Sequence, residues 1–235
     1  MTRIAIGSMK GGVGATTLSV NLAVMLQRAG HGVALVDCEL AAPIVGWMER
    51  RKAAGLGTID HRQASENDSF EDAGHPFTIV DVGTSARSTQ ALLGRADIWV
   101  APTPPTPLEV EATLKLFRRW QDARSIARRP GLFAAVLTRV GQDERDLERS
   151  ARRKLFRGHQ DLVVLNQSLN RHPAWDTTYN GYGLHELPGP EATRAGSELH
   201  SMSVGLLSFA LRSAGAAPPG LITDRPERQR ILQPS

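Results

Sequence analysis

The stretch Gly7-Ser8-Met9-Lys10-Gly11-Gly12-Val13-Gly14-Ala15-Thr16-Thr17 constrains this chain more than any other. It follows an apolar segment, Ile4-Ala5-Ile6, that reads as a buried strand, and it opens a segment of helical periodicity. Glycines in such a turn let successive backbone N–H groups converge on a phosphate, and the helix N-terminus adds positive potential. A hydroxyl in the first helical turn, as at Thr16, suits Mg²⁺. A glycine-rich turn alone would be weak evidence. Here a lysine precedes the glycines, two threonines follow them, and the strand–helix context is correct.

Downstream, short apolar runs alternate with longer amphipathic ones. Strands are expected at 3–7, 32–37, 77–82, 97–101, 132–138 and 161–165, and helices at 16–29, 42–54, 87–95, 107–127, 142–156 and 192–212. The strands are nearly all apolar, as strands buried on both faces are. The alternation predicts an α/β fold: one domain with a mostly parallel, twisted sheet and helices on both faces. The polar residues 57–76 read as a surface excursion, and 215–235, Pro-rich and then charged, as a disordered tail, which leaves 1–214 as the domain. The single cysteine, Cys38, excludes a disulfide framework and any iron–sulfur or zinc-thiolate site built from one chain. No apolar run reaches the ~18 residues of a membrane helix, and the N-terminus is strand-like, not a signal peptide. A soluble cytoplasmic protein with no membrane partner is expected.

The glycine-rich stretch resembles the deviant Walker A box of the ParA/MinD family of P-loop ATPases, Lys-Gly-Gly-x-Gly-Lys-Thr-Thr. The resemblance extends from about residue 2 to about residue 212 and implies a P-loop NTPase fold, ATP and Mg²⁺ as cofactors, and a homodimer formed on ATP. Lys10 matches the signature lysine that reaches the partner subunit's nucleotide. Gly11, Gly12, Val13, Gly14, Ala15, Thr16 and Thr17 match the nucleotide-binding loop, with Thr16 as the Mg²⁺ hydroxyl. Ala15 stands where the family has its P-loop lysine. Either the lineage lost that lysine or this chain carries a Lys→Ala substitution. A charge-assisted hydrogen bond is worth roughly 1.5–3 kcal/mol, so its loss weakens binding roughly ten- to a hundred-fold. Impaired hydrolysis is expected.

Further motifs agree with that resemblance. Val33-Ala34-Leu35-Val36-Asp37-Cys38-Glu39 resembles the second strand and its Asp-x-Asp segment. Asp37 matches the first aspartate, and Glu39 stands for the second, which orients the attacking water. With Lys10 they form the catalytic set that the resemblance implies. Phe77-Thr78-Ile79-Val80-Asp81 looks like Walker B, with Asp81 near the metal. The Pro-rich stretch 102–107 resembles the family's link into a long helix, and Leu137-Thr138-Arg139 resembles the stretch beside the adenine. Leu169-Asn170-Arg171, followed by Gly181-Tyr182-Gly183, resembles the segment that supplies a DNA contact in relatives; Arg171 is the match, and Arg194 falls where another often stands. Each of these has a plainer reading: acids in solvent at a strand end, or an ordinary surface arginine.

Residues 101–235 hold 19 Lys/Arg against 14 Asp/Glu, while residues 1–100 hold 9 against 10. The basic half suits a polyanion surface or simply solvated, Arg-rich helix faces. The run Arg149, Arg152, Arg153, Lys154 and Arg157 touches phosphates, or is the exposed side of a helix that also carries Asp146 and Glu148. The length resembles the small ParA subgroup of plasmid partition ATPases, VirC1-like proteins and positioners of organelles or carboxysomes. The resemblance implies an ATP-driven dimer that binds DNA non-specifically, associates with the nucleoid, and is released by a ParB-like or other small activator. Two rivals stay open: a nucleotide-dependent scaffold that does not hydrolyse, and a VirC1-like DNA-processing accessory factor.

Overall fold

The computed structural model describes residues 1–64, 68, 70, 74–84, 86–157, 159 and 161–213. The expected tail, 215–235, lies outside the described residues. The chain begins with β1 (Thr2–Ile6), α1 (Ala15–Arg28), β2 (Val33–Asp37), α2 (Pro43–Ala53) and β3 (Asp60–Gln63). It continues through β4 (Phe77–Asp81), α3 (Ala86–Leu93), β5 (Ile98–Thr103), α4 (Pro107–Ala127) and β6 (Leu132–Val140). It closes with α5 (Arg145–Phe156), β7 (Leu162–Val164), β8 (Leu169–Asn170), α6 (Ala174–Thr177) and α7 (Pro190–Ser213).

The eight strands pair in parallel, in the order β3-β2-β4-β1-β5-β6-β7, with β8 paired to β6. Successive residues of β1 face opposite sides: Ile4 and Ile6 enter one core and Ala5 the other. The first core is closed by α1, α2 and α7, the second by α3, α4 and α5. This is the expected single α/β layer structure. After β4 the chain crosses β1 to continue on its other side, so the sheet reverses its direction of growth at β1 and a crevice opens at its carboxyl edge. Register sharpens the point. Ile6 and Asp37 both lie opposite Asp81, so β1, β2 and β4 end level and their three turns emerge side by side.

One expectation is corrected. The segment 57–76 is not only a surface excursion: Asp60–Gln63 adds an edge strand to β2, and Ile59 and Phe70 are buried. Its polar sequence hid it because an edge strand with exposed side chains needs no apolar run. Beyond the last expected strand, β8, α6 and two 3-10 turns (Thr178–Asn180 and Leu184–Glu186) fill a stretch with no periodicity to read.

That stretch is clamped from a distance. The buried Arg51 of α2 donates two parallel hydrogen bonds to Glu186, at 2.7 and 2.8 Å, and one to the Gly181 carbonyl at 3.0 Å. Gly181 sits at φ 90°, and a Cβ there would lie 2.3 Å from the Arg51 nitrogen. A Cβ on Gly183 would lie 2.5 Å from Val24 of α1. The Gly181-Tyr182-Gly183 motif is therefore a docking surface for two helices.

Candidate functional site

A cleft of about 680 Å³ opens at the carboxyl edge. Its lining brings together Lys10, Gly11, Gly12, Val13, Gly14, Ala15, Thr16 and Thr17 with Glu39, Asp81 and Arg139, and adds Arg171, which the sequence reading assigns to DNA. Asp37 and Arg194 are not among its lining residues.

The loop is held by its own backbone geometry and by the sheet. Gly12 and Gly14 take φ values of 77° and 94°, a region that disfavours side chains. The Thr138 hydroxyl donates to the Val13 carbonyl at 3.2 Å, and the Trp99 indole to that of Gly7 at 3.2 Å. Gly14 caps α1 without a side chain, and the first turn of α1 carries no acidic residue. The helix's first N–H groups thus face the cleft with an uncompensated positive end, which is what an anion needs.

Beneath the loop, Thr16 Oγ1 donates to Asp81 Oδ2 at 2.5 Å. Asp81 is fully buried, and its Oδ1 has no hydrogen-bond partner. Burial, with Asp37 and Glu39 nearby, pushes the Asp81 carboxyl up to about 7, against the pull of the Thr16 hydrogen bond. A hydroxyl and an orphaned carboxylate oxygen are hard donors, and this pair fits Mg²⁺. Among the described residues no group of three or more His, Cys, Asp or Glu could hold a metal. Few protein ligands are what Mg²⁺ uses when substrate phosphates and water complete its shell.

Glu39 reaches across to the next turn. Its carboxylate accepts from the Thr84 amide at 2.8 Å and from the Thr84 hydroxyl at 3.2 Å. Gly83 makes room for it, since a Cβ there would lie 2.4 Å from Glu39 Oε2. Asp37 is turned toward backbone amides. Its buried carboxylate accepts from the amides of Glu39 at 3.0 Å and Ile44 at 2.9 Å, so it shapes the turn that carries Glu39. Burial raises its carboxyl above the ordinary value, with the two amides opposing.

Lys10 is held within its own chain: Nζ lies 3.0 Å from Glu109 Oε1, at the start of α4. Glu109 Oε2 is buried without a partner. Sequence reading missed both this partner and the far wall of the cleft. Arg171 lines that wall with His172, Pro173, Trp175 and Asp176. His172 lies 3.1 Å from Glu191 and 3.0 Å from Glu198, and Glu198 also accepts from the Asn170 amide at 2.8 Å. Burial disfavours charge on His172, but the two carboxylates prevail and raise its pKa. The spacing of Glu191 and Glu198, two turns apart on one face of α7, was the available signal.

Glu191 links the neighbourhoods of the two expected DNA contacts, since it meets both His172, next to Arg171, and Arg194. Arg194 is exposed on α7 and pairs with Glu191 at 3.3 Å, while Arg171 lies at the cleft. Within the basic run, Arg149 pairs with Asp146, Arg152 with Glu148 and Lys154 with Glu111. Three of the five residues of that run are thus ion-paired within the chain, as on a solvated helix face.

Residues 4–175 match the CobQ/CobB/MinD/ParA nucleotide binding domain. The chain is 25% identical over 207 residues to the maintenance of carboxysome distribution protein A of Halothiobacillus neapolitanus, covering 85% of this chain and 93% of that protein. Among solved structures it resembles apo McdA of Cyanothece, with a TM-score of 0.66 at 15% identity over 86% of this chain and 99% of the other. It also resembles the septum site-determining protein MinD of Pyrococcus horikoshii complexed with Mg-ADP, with a TM-score of 0.61 at 18% identity over 88% and 97%.

Proposed function

Because this chain belongs to the CobQ/CobB/MinD/ParA family of nucleotide-binding domains, we propose that it is a ParA-type ATPase that positions a cargo. In this reading it binds ATP and Mg²⁺ in the cleft, dimerises on ATP and binds DNA non-specifically. The carrying observation is the Thr16–Asp81 pair with its orphaned oxygen beneath an anion-binding loop. The loop amides and the N-terminus of α1 hold the phosphates, and Thr16 and Asp81 hold the metal. Bound there, Mg²⁺ neutralises charge on the terminal phosphates. Glu39 exchanges Thr84 for a water and orients it, with Asp37 fixing the turn. Lys10 exchanges Glu109 for the partner subunit's nucleotide.

The rim supports the dimer. Met9, Leu40 and Leu108 are 41%, 95% and 62% exposed, and each adjoins one of the site residues Lys10, Glu39 and Glu109. Three apolar side chains around a charged cleft suit an interface that seals over a nucleotide. The cargo assignment leans on the carboxysome-distribution relative, matched over nearly its full length. Arg171 and Arg194 are the DNA contacts in this reading, and a ParB-like or other small protein is the activator. Ala15 favours a second reading, a scaffold that binds nucleotide without turning it over.

Sedimentation with Mg²⁺ and a non-hydrolysable ATP analogue, followed by DNA retention across a salt series, tests the proposal. We expect an analogue-dependent dimer whose DNA affinity falls steeply with salt and depends little on sequence. A monomer under all conditions would refute it. Sequence-selective binding would favour the DNA-processing role. Turnover that stays at background with activator, yet returns in Ala15→Lys, would favour the scaffold.

A further inference from the structure

Ala15 leaves Lys10 as the cation of the loop itself, and Glu109 holds it, so further charge that meets a polyphosphate must come from elsewhere. Among the described lining residues, the permanent cations are Lys10, Arg139 and Arg171. Lys10 is engaged with Glu109. Arg171 belongs to the wall formed with His172, Pro173 and Trp175. Arg139 reaches the loop from outside it: its guanidinium donates to the Gly12 carbonyl.

The backbone is shaped to put it there. Arg139 has φ 56°, a left-handed conformation that non-glycine residues rarely adopt. It sits where the pairing of β6 with β8 slips, between Thr138 and Val140. A bulge re-aims a side chain, and a strained residue persists only where its surroundings hold it. Both flanks are pinned here: Thr138 donates to Val13 at 3.2 Å, and the Arg171 amide donates to Val140 at 2.9 Å. A guanidinium carries five donors in a planar fork, so its bond to Gly12 leaves others for a phosphate.

We infer that Arg139 supplies, from its own chain, the phosphate-binding charge that Ala15 lacks. The inference rests on the reading of the cleft as an ATP site. It differs from the adenine-side position that the family resemblance implies for this residue.

The test is a titration of ATP in Mg²⁺, and of inorganic tripolyphosphate in competition, on the native chain, Arg139→Ala, Arg139→Lys, Ala15→Lys and the double variant. Arg171→Ala, with and without Ala15→Lys, is the comparison. Arg139→Ala should weaken both ligands roughly tenfold or more, and Arg139→Lys should keep most of the affinity. Ala15→Lys should restore ATP binding to Arg139→Ala, making the two substitutions non-additive. A merely structural link to Gly12 would not be rescued this way, so failure of the rescue overturns the inference. Loss for ATP without loss for tripolyphosphate places Arg139 at the base and also overturns it. A rescue of Arg171→Ala in place of Arg139→Ala overturns it in favour of Arg171. A native chain that binds no ATP overturns the cleft reading itself, whereas normal binding indifferent to Arg139→Ala overturns this inference alone.

Discussion

At the scale of single residues, the site consists of groups held in reserve. Asp81 offers one oxygen to Thr16 and keeps the other buried and unpaired, an arrangement that costs free energy until a cation fills it. Asp81→Ala should therefore weaken ATP binding more in Mg²⁺ than in EDTA; equal effects in titrations under both conditions would make the residue structural. Glu109 holds Lys10 in a half-exposed pair, whose worth is about 0.2–1 kcal/mol. Glu109→Gln should release the lysine and lower the protein concentration needed for ATP-dependent dimerisation by up to roughly fivefold. Sedimentation across a dilution series reads this directly, with Lys10→Ala, which should lose the dimer, as the opposite control.

Among elements, the segment after β8 is held by charges from two helices. The Arg51–Glu186 pair is buried, and removing one partner strands the other. Arg51→Met should cost about 3–5 kcal/mol in denaturant unfolding. Burial alone would raise the Glu186 carboxyl, but Arg51 and the Gly183 amide hold it below its usual value. His172 ties the same segment to α7 through Glu191 and Glu198, and its pKa is raised in the fold. A raised folded pKa means that the contribution is complete below the unfolded value, ~6.5. It fades as pH rises through the folded value. Thermal unfolding of the native chain and His172→Gln from pH 5.5 to 9 should show a gap that is widest at acid pH and narrows as pH rises. A gap that widens with pH would reverse the assignment.

For the whole molecule, the cleft lies where five distant parts meet: the loop after β1, the turns after β2 and β4, the end of β6 and the start of α6. A ligand there ties the two halves of the sheet together. At one hundred times its Kd, Mg-ATP should stabilise the fold by about 2.7 kcal/mol. For a domain of this size that is roughly 5–10 °C in Tm. If binding and dimerisation are linked, the shift should also grow with protein concentration in a calorimetric series. A shift independent of concentration would mean that the monomer binds unaided.

The local chemistry of the chain was enough to specify the strand–loop–helix from Thr2 to Arg28, the apolar strands ending at Asp37 and Asp81, and the long helix that begins at Pro107. Each rests on interactions within a few residues: a glycine's φ, a period of side chains, a proline's fixed first turn. Tertiary structure alone decided the rest. It recruited the polar residues Asp60–Gln63 as an edge strand, because β2 offered an open ladder of backbone groups. It set Lys10 against Glu109, 99 residues away, and Arg51 against Glu186, 135 residues away. It turned Asp37 from the cleft into the turn that carries Glu39. Pairings of this kind follow from which strands lie side by side and how their ends align, and no local pattern of residues records that.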